Sequence, residues 1–206
     1  MNQWQEVGPI KNATFQWRGL LGAAILTPAV LWELFSAPSA PPSVTPYLFF
    51  STLGWVTFLC GMLMRLWATL YVGARKRMTL VNEGPYSICR NPLYVGSFLL
   101  GLSLGLFLQS PIVLVALGLA MVLYATGTVP AEERDLRTIH GTPFDEYCRH
   151  VPRFIPRFAL FQSPDLLELK VKGLKTEWRR MRYWLWMPIV CQLLTLLRFQ
   201  SFWPHF

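Results

Sequence analysis

Long apolar segments alternate with short polar ones along this 206-residue chain. Four of the apolar segments have about 18 residues or more, which is enough for a helix to cross a bilayer. They are 15–35, 47–71, 92–109 and 112–129. A fifth, 183–199, is interrupted by Pro188, and the pattern leaves open whether it spans, lies in the interface or re-enters. We therefore predict an all-α, polytopic membrane protein of about five transmembrane helices, forming one domain over residues 1–206.

The connections between these segments differ in kind. Residues 36–46 form a Pro/Ser loop that cannot remain helical. Ser110-Pro111 is so short that the third and fourth spans must form a tight antiparallel hairpin. Gly101, Gly105 and Gly118 are predicted to provide small surfaces for close helix contact.

Composition and charge support a membrane setting. The chain is 53% hydrophobic and 15% charged, with a net charge of +8. In a chain of this kind, basic patches favour anionic lipid headgroups over nucleic acid. Lysines and arginines are concentrated in 72–90 and 131–182, which predicts that both segments lie on the cytoplasmic side.

Several isolated polar residues have simple structural interpretations. Arg18 and Glu33 lie near the ends of the first span, where their side chains can reach the interface. Arg65 lies inside the second span, which indicates a paired or snorkelling charge rather than a catalytic one. Cys89 has no activating neighbour in sequence and is interpreted as a packing residue. The four cysteines and three histidines show no metal-ligand spacing, so we expect neither a metal site nor a disulfide framework.

The loop before the third span carries unusual local chemistry. Gly84-Pro85 indicates a turn, and Asn91-Pro92 indicates a helix start with Asn91 as the cap. A helix N-terminus beside Arg90 is suited to an anionic group. The alternative is a well-capped membrane helix whose Arg90 meets lipid headgroups, and the residues leave both open.

The predicted hairpin brings a second motif to this loop. Because the third and fourth spans are antiparallel neighbours, 90–94 and 128–133 should lie side by side at one membrane face. Pro130 is predicted to interrupt the fourth span and to open a helix with Glu132 and Glu133 in its first turn. Such acids also favour helix N-termini by themselves, so their presence has a structural as well as a functional interpretation.

These motifs together resemble a known superfamily. They are Gly-Pro-Tyr-x-x-x-Arg-x-Pro-x-Tyr-x-Gly at 84–96, Glu132-Glu133, and Phe-x-x-Tyr followed by Val-Pro at 144–152. In order and spacing they resemble the isoprenylcysteine carboxyl methyltransferases and phospholipid methyltransferases, integral-membrane enzymes that use S-adenosylmethionine. The resemblance covers the core motif region 60–158, whereas 160–206 holds a basic helical stretch and the C-terminal apolar segment.

The resemblance implies roles for individual residues. Glu133, Arg90 and Asn91 are expected at the catalytic centre, and no metal is expected. By itself, 144–158 is typical of an interfacial belt of aromatic residues with arginines on headgroups. In this superfamily the segment covers the cofactor, so the resemblance implies that Tyr147 and Arg153 can have both roles. The cofactor-binding residues are expected to be Leu80, Val81, Gly84, Pro85, Tyr86, Arg90, Asn91, Tyr94, Gly96, Glu132 and Glu133.

Two positions depart from the superfamily pattern. Asn91 stands where a histidine usually precedes the proline, and asparagine cannot act as a base. Thr128 stands where an arginine often precedes the glutamate pair by four residues. If that arginine holds an anionic acceptor in relatives, an isoprenylcysteine carboxylate is a less secure substrate here.

The resulting expectation is an S-adenosylmethionine-dependent methyltransferase with its cofactor pocket at the cytoplasmic face of a bacterial inner membrane or an endomembrane. Its acceptor would be lipophilic or lipid-borne, such as an isoprenylcysteine-like carboxylate, a phospholipid amine or a small thiol. One alternative is an NADPH-dependent sterol-type reductase, because 147–156 also resembles the C-terminal end of that related fold. The other is a non-catalytic membrane adaptor of the same fold, which Asn91 and Thr128 permit.

Overall fold

The computed structural model describes residues 13–36, 43–72, 79–164, 171–198, 200 and 202–204, with side chains omitted at 13–19 and 171–173. Within those ranges all regular structure is helical, as predicted. The helices are α1 (Ala13–Phe35), α2 (Val44–Val72), α3 (Pro85–Ile88), α4 (Pro92–Leu108), α5 (Pro111–Leu123), α6 (Val129–His140), α7 (Thr142–His150), α8 (Val171–Trp184) and α9 (Trp186–Leu197). The basic run 73–77, the Arg18 side chain and most of the Pro/Ser loop lie outside the described part of the chain.

The predicted hairpin is confirmed. Pro111 occupies the first turn of α5, and the Ser110 hydroxyl caps that helix by accepting a hydrogen bond from the Val113 N–H at 3.2 Å. A Cβ atom on Gly105 would lie 2.5 Å from a Leu114 methyl carbon, so this glycine permits the close approach of α4 and α5. Gly101 has a similar role, facing Leu117. Gly118 does not, because no described atom lies within 4 Å of its Cβ position.

Helices α2 and α4 pack closely along each other, a contact that the sequence did not predict. A Cβ atom on Gly61 would lie 2.9 Å from the carbonyl oxygen of Gly96, and a Cβ atom on Gly96 would lie 2.6 Å from Cγ of Arg65. Both glycines therefore let the backbones touch. Phe58 and Phe107 fill the neighbouring core and are almost completely buried.

At the end of the molecule distant from the loop, Glu33 does not extend to an interface as predicted. Its carboxylate is paired with the Arg198 guanidinium, which follows α9, and accepts a hydrogen bond from the Ser110 hydroxyl at 2.5 Å. Arg198 also donates to the Ser36 carbonyl oxygen at 3.2 Å. Burial makes pairing preferable to snorkelling, because an unpaired charge would lose its hydration without compensation.

The C-terminal helices close the bundle against α2 and α4. The Arg65 guanidinium donates to the Glu177 carboxylate of α8 at 2.7 Å and to the Ser97 hydroxyl of α4 at 2.6 Å. The predicted structural role of Arg65 is thus confirmed as a pairing. Farther along, Gln192 of α9 donates to Ser51 of α2 at 2.6 Å. Helix α9, which belongs to the segment 183–199 whose placement the sequence left open, consequently lies antiparallel to α2.

A π-helical turn, Tyr124–Thr128, joins α5 to α6. The Val129 N–H donates to the Tyr124 carbonyl oxygen, five residues back. Pro130 has no N–H and its ring would clash with the carbonyl four residues back, so a widened turn accommodates it. Pro130 therefore widens one turn of a helix that continues from Pro111 to His140, instead of interrupting it as predicted. Glu132 lies in the first turn of α6 as predicted, whereas Glu133 lies just beyond that turn.

Two helical stretches are long and apolar enough to cross a membrane, Val44–Val72 and the continuous run Pro111–His140. The described part of α1 and helix α4 are apolar but shorter. The outer faces of the long helices are apolar, as lipid contact requires. Large exposed residues there include Leu53, Val56, Leu59, Leu63, Val115, Leu119 and Val122. The count of five spans remains a prediction.

Candidate functional site

The loop before α4 folds into a buried turn around a glycine. Gly84 has φ 58° and ψ −128°, a backbone conformation that residues with a side chain rarely adopt. A Cβ atom there would also lie 2.3 Å from the Tyr71 ring. Pro85 opens the short α3, whose four residues are all buried. The local sequence Gly-Pro therefore places the chain beneath the end of α2 and leads it toward Arg90.

Residues 151–162, here called the strap, cover this loop and are bonded to it through the backbone. The N–H groups of Gly84 and Arg90 donate to carbonyl oxygens of the strap, and Ile88 accepts a hydrogen bond in return. The three bonds are Gly84 to Gln162 at 2.7 Å, Arg90 to Pro152 at 2.9 Å, and Arg157 to Ile88 at 3.0 Å. The strap and the loop thus form one layer at this end of the helices.

Two tyrosines join α7 to the loop. The Tyr147 hydroxyl donates to the Tyr86 carbonyl oxygen at 2.7 Å. Burial raises the pKa of both phenols above the ordinary value, so each stays protonated at neutral pH. Burial likewise raises the pKa of the Cys89 thiol to about 11, which agrees with a packing role.

The predicted meeting of the two motifs is present in the structure. The Glu133 carboxylate of α6 lies between side chains from the loop and the strap. Arg153 contacts both of its oxygens, Nε to Oε1 at 3.2 Å and Nη2 to Oε2 at 2.6 Å. Arg90 Nε lies 3.5 Å from Oε1, and Asn91 Nδ2 lies 3.4 Å from the same oxygen. The three residues expected at the catalytic centre therefore occupy one cluster.

Asn91 precedes α4 as predicted, but its side chain does not cap that helix. Its amide donates instead to Glu133 and, at 3.2 Å, to the carbonyl oxygen of Arg153. Only the backbone oxygen of Asn91 receives N–H groups of the first turn, from Tyr94 and Val95. Because the amide is a donor in both side-chain contacts, asparagine here serves to orient the carboxylate and the strap.

Arg90 has spare hydrogen-bonding capacity within this cluster. Its side chain is 14% exposed, and its Nε finds no hydrogen-bond acceptor in the described part of the chain. Its Nη1 makes a single long bond to the Cys148 carbonyl oxygen at 3.4 Å. Two guanidinium groups, those of Arg90 and Arg153, thus face the Glu133 carboxylate, and guanidinium donors with spare capacity suit an additional anionic group.

An aromatic row continues from the charged cluster along α4. Tyr94 lies one turn beyond Asn91, and its ring centroid is 6.2 Å from those of Phe98 and Tyr124. Phe98 in turn lies 5.9 Å from Phe154 of the strap. These four half-buried rings form a largely apolar wall next to the cluster.

A cavity of about 330 Å³ opens on another side of the loop. Its size falls at the lower end of the range for small-molecule sites. Leu80, one of the expected cofactor residues, lines it together with residues of α7 and the strap. Its polar lining comes from Asn82, Ser87, Glu146, Tyr147, His150 and Gln162.

Other expected site residues have different surroundings. Gly96 lies in the α2–α4 contact rather than against the charged cluster. Tyr86 and Pro85 are buried beneath the strap. Val81 and Glu132 are half-buried. Glu132 lies in α6, immediately before Glu133.

Sequence reasoning missed several neighbours of this site. Tyr124 and Phe98 were seen only as parts of apolar spans, because the ring contacts depend on the rotation of α4 relative to the π turn. Asn82 was not singled out, and His150, the last residue of α7, was considered only as a possible metal ligand, because a lone polar residue carries no signal of its own. No group of three or more His, Cys, Asp or Glu residues within the described ranges could hold a metal ion.

Comparisons with known proteins identify the superfamily of this chain. The family description "Phospholipid methyltransferase" matches residues 48–142. No solved structure matches the chain. The superfamily to which this match points is the one that the motifs resemble.

Three curated relatives show how the similarity extends. Nickel-cobalt-cadmium resistance protein NccN of Alcaligenes xylosoxydans xylosoxydans is 33% identical over 75% of this chain and 72% of its own length. Cobalt-zinc-cadmium resistance protein CzcN of Cupriavidus metallidurans is 38% identical over 63% of this chain and 59% of its own length. Protein-S-isoprenylcysteine O-methyltransferase B of Arabidopsis thaliana is 25% identical over 56% of this chain and 64% of its own length. These matches show that the chain belongs to the superfamily of isoprenylcysteine carboxyl methyltransferases and phospholipid methyltransferases.

Proposed function

We propose that this protein transfers the methyl group of S-adenosylmethionine to an apolar or lipid-borne acceptor. The observation that carries the proposal is the convergence of Arg90, Asn91, Glu133 and Arg153, which three separate stretches of the sequence (the loop before α4, α6 and the strap) bring to a single point. Membership of a methyltransferase superfamily supports the reaction class.

The chemistry of the cluster fits the cofactor. A bound S-adenosylmethionine would supply an activated methyl group on a positively charged sulfur, together with an amino-acid ammonium and carboxylate. Glu133 offers the negative charge that suits the cationic groups, and Tyr94 offers a ring face suited to cation–π contact. The buried Nε of Arg90, which lacks a hydrogen-bond acceptor within the described chain, suits the carboxylate. The cavity beside Leu80 and Ser87 would hold a further part of the nucleotide.

The protein's contribution to such a reaction is mainly alignment. Because the donor is already activated, the residues need only hold both reactants in line and keep water away. The strap supports this role, since its backbone bonds close one side of the loop. Arg90, Asn91 and Glu133 would bind and orient the reactants, and none of them needs to form a covalent bond.

The aromatic row supports an apolar acceptor. Tyr94, Phe98, Tyr124 and Phe154 extend from the charged cluster along helices with apolar outer faces, so an acceptor dissolved in the bilayer would meet rings before charges. An isoprenylcysteine-like carboxylate and a phospholipid amine both fit this description. The name of the Arabidopsis relative favours the former, whereas Thr128, in place of an arginine, favours the latter.

We place the site on the cytoplasmic side of the membrane. Arg90, Arg137, Arg149, Arg153 and Arg157 are gathered at the same end of the bundle as Glu133, as the positive-inside rule requires. The same arginines would contact anionic lipid headgroups. An exposed position such as Arg149, changed to cysteine in a background without native cysteines, should react with a membrane-impermeant maleimide only from the cytoplasmic side.

Calorimetric titration of the purified chain with S-adenosylmethionine, S-adenosylhomocysteine and NADPH tests the proposal. We expect binding of the first two only. Binding of NADPH alone would favour the reductase, and binding of none would favour a non-catalytic adaptor. Transfer of radiolabelled methyl groups to fractions of a lipid extract would then identify the acceptor class.

A further inference from the structure

Arg153 differs from its partners in exposure. Its side chain is 41% exposed, whereas those of Glu133 and Arg90 are 10% and 14% exposed. A partly exposed guanidinium regains its hydration when it leaves a buried carboxylate. Its departure therefore costs less free energy than the departure of a guanidinium that is itself buried. Arg153 is therefore the cationic side chain of the cluster that can move away from Glu133 most easily.

The position that Arg153 occupies is the one a cationic ligand would need. Its Nε and Nη2 contact the two oxygens of Glu133, at 3.2 Å and 2.6 Å. With Arg90 Nε and Asn91 Nδ2 also beside Oε1, the carboxylate has little room for a second cation while Arg153 stays.

The backbone of the strap does not have to move for Arg153 to leave. Its carbonyl oxygen accepts the Asn91 amide at 3.2 Å, and the preceding residue, Pro152, accepts the Arg90 N–H at 2.9 Å. These bonds are independent of the guanidinium, so rotation of the side chain alone would expose Glu133 and keep the strap in place.

We propose that Arg153 is an exchangeable counter-ion of Glu133. Its guanidinium neutralises the carboxylate while no cationic ligand is bound, and releases it to the sulfonium-bearing cofactor. This inference rests on the proposed function. It makes Arg153 a residue that distinguishes the methyl donor, whose sulfur is positively charged, from the product, whose sulfur is neutral.

The charge balance of the reaction gives the exchange a direction. During transfer the bond between sulfur and the methyl carbon breaks, and the methyl carbon bonds to the nucleophilic atom of the acceptor. The sulfur keeps the electron pair as a neutral thioether, and any proton on the acceptor passes to solvent. Glu133 has then lost a cationic partner, so Arg153 can return to the carboxylate beside the neutral thioether without competing with it.

Binding measurements on the full chain test this exchange. We expect Arg153→Gln to bind S-adenosylmethionine at least about fivefold more tightly than the unaltered protein, which corresponds to about 1 kcal/mol. Its affinity for S-adenosylhomocysteine should change by less than about twofold. The sulfur of this product is neutral and does not compete with Arg153, and the loss of a partly exposed charge has a small effect by itself. Arg157→Gln is the matched control, because it removes the same charge from an exposed side chain of the same strap, and it should leave both affinities within about twofold.

Two further results decide the interpretation. Arg153→Lys keeps the charge but loses the two-point contact, so it should give an intermediate ratio of the two affinities, and it supplies the same comparison if the glutamine variant does not fold. Equal weakening of both ligands in Arg153→Gln would mean that the guanidinium holds a group common to both, and unchanged affinities would mean that it does not compete. Either result overturns the exchange while leaving the proposed function intact. If the unaltered protein binds neither ligand, the proposed function fails and this inference fails with it.

Discussion

The Arg65 guanidinium lies 2.6 Å from the Glu177 carboxylate, although 112 residues separate them in the chain. The Glu177 side chain is buried, that of Arg65 is 15% exposed, and Arg65 also donates to the Ser97 hydroxyl of α4. Three helices thus meet at one ion pair, one turn along α4 from Tyr94. This pair connects the C-terminal helices to the element that carries Asn91.

Removal of one partner should be costly. Glu177→Ala leaves the largely buried Arg65 charge without a carboxylate, and we expect it to lower the free energy of unfolding by about 3 kcal/mol, the lower end of the range for breaking a buried ion pair. Thermal unfolding in detergent measures this. Arg180→Gln is the control: that side chain is 62% exposed and reaches Glu177 only at 3.4 Å, so its loss should cost less than about 1 kcal/mol. Similar losses in the two variants would contradict the structural role of the pair.

Glu133→Ala should weaken the binding of S-adenosylmethionine at least about tenfold, or about 1.4 kcal/mol. The reason is that the variant leaves Arg90 and Arg153 without the carboxylate that offsets them at the proposed cationic subsite. Calorimetric titration checks the prediction. Asp145→Ala removes an equal charge from an exposed pair with Arg137 and should leave the affinity unchanged. Retention of affinity in Glu133→Ala would exclude Glu133 from the cofactor site.

Alanine substitutions at two glycines with nearly the same backbone conformation distinguish backbone strain from a side-chain clash. Gly84 and Gly141 have φ of 58° and 59°, and an alanine at either should cost about 1–3 kcal/mol in backbone strain. Only at Gly84 would the new Cβ also meet the Tyr71 ring, whereas no described atom lies within 4 Å at Gly141. Gly84→Ala should therefore lower the melting temperature more than Gly141→Ala. Equal shifts would show that the Tyr71 ring moves aside without cost.

The buried Cys89 thiol should make stability depend on alkaline pH. Burial raises the pKa of the thiol from 9.0 to about 11 in the folded protein. Since the folded state holds the proton more tightly, this contribution to stability is complete below pH 9.0 and is lost as the pH rises toward 11. Denaturant unfolding at a series of pH values should show the loss, and Cys89→Ala should reduce it. Rapid alkylation of Cys89 at pH 8 in the folded protein would contradict the raised pKa.

Local sequence signals were sufficient for the helical elements that Pro, Gly and Ser delimit. Ser110-Pro111 begins α5 and Pro92 begins α4, because a proline in the first turn and a capping hydroxyl act within a few residues. The bounds were less exact where a proline was tolerated: α2 begins at Val44 and includes Pro46, which the sequence placed in the loop. The meeting of Arg90 and Glu133 also followed from sequence, since a two-residue turn constrains both helices to be neighbours.

Side-chain partners could not be predicted in the same way. Asn91 was expected to cap α4, yet it orients Glu133 and the strap, because a carboxylate and a carbonyl oxygen from distant segments compete successfully for its amide. Glu33 was expected at an interface, yet Arg198 at the other end of the chain neutralises it inside the bundle. Both outcomes depend on the approach of α9 and the strap, which no local pattern encodes.

By itself, the sequence determined the helical class, the hairpin and the pairing of the loop with the glutamates, since apolar length, turn residues and motif spacing act locally or through one short connection. Only the tertiary structure decided which of the twin glutamates is buried against the arginines, that Arg153 occupies its carboxylate, and that Arg65 pairs with Glu177. The physical reason is that rotation around a helix and a buried charge's choice of partner depend on the packing of segments far apart in the chain.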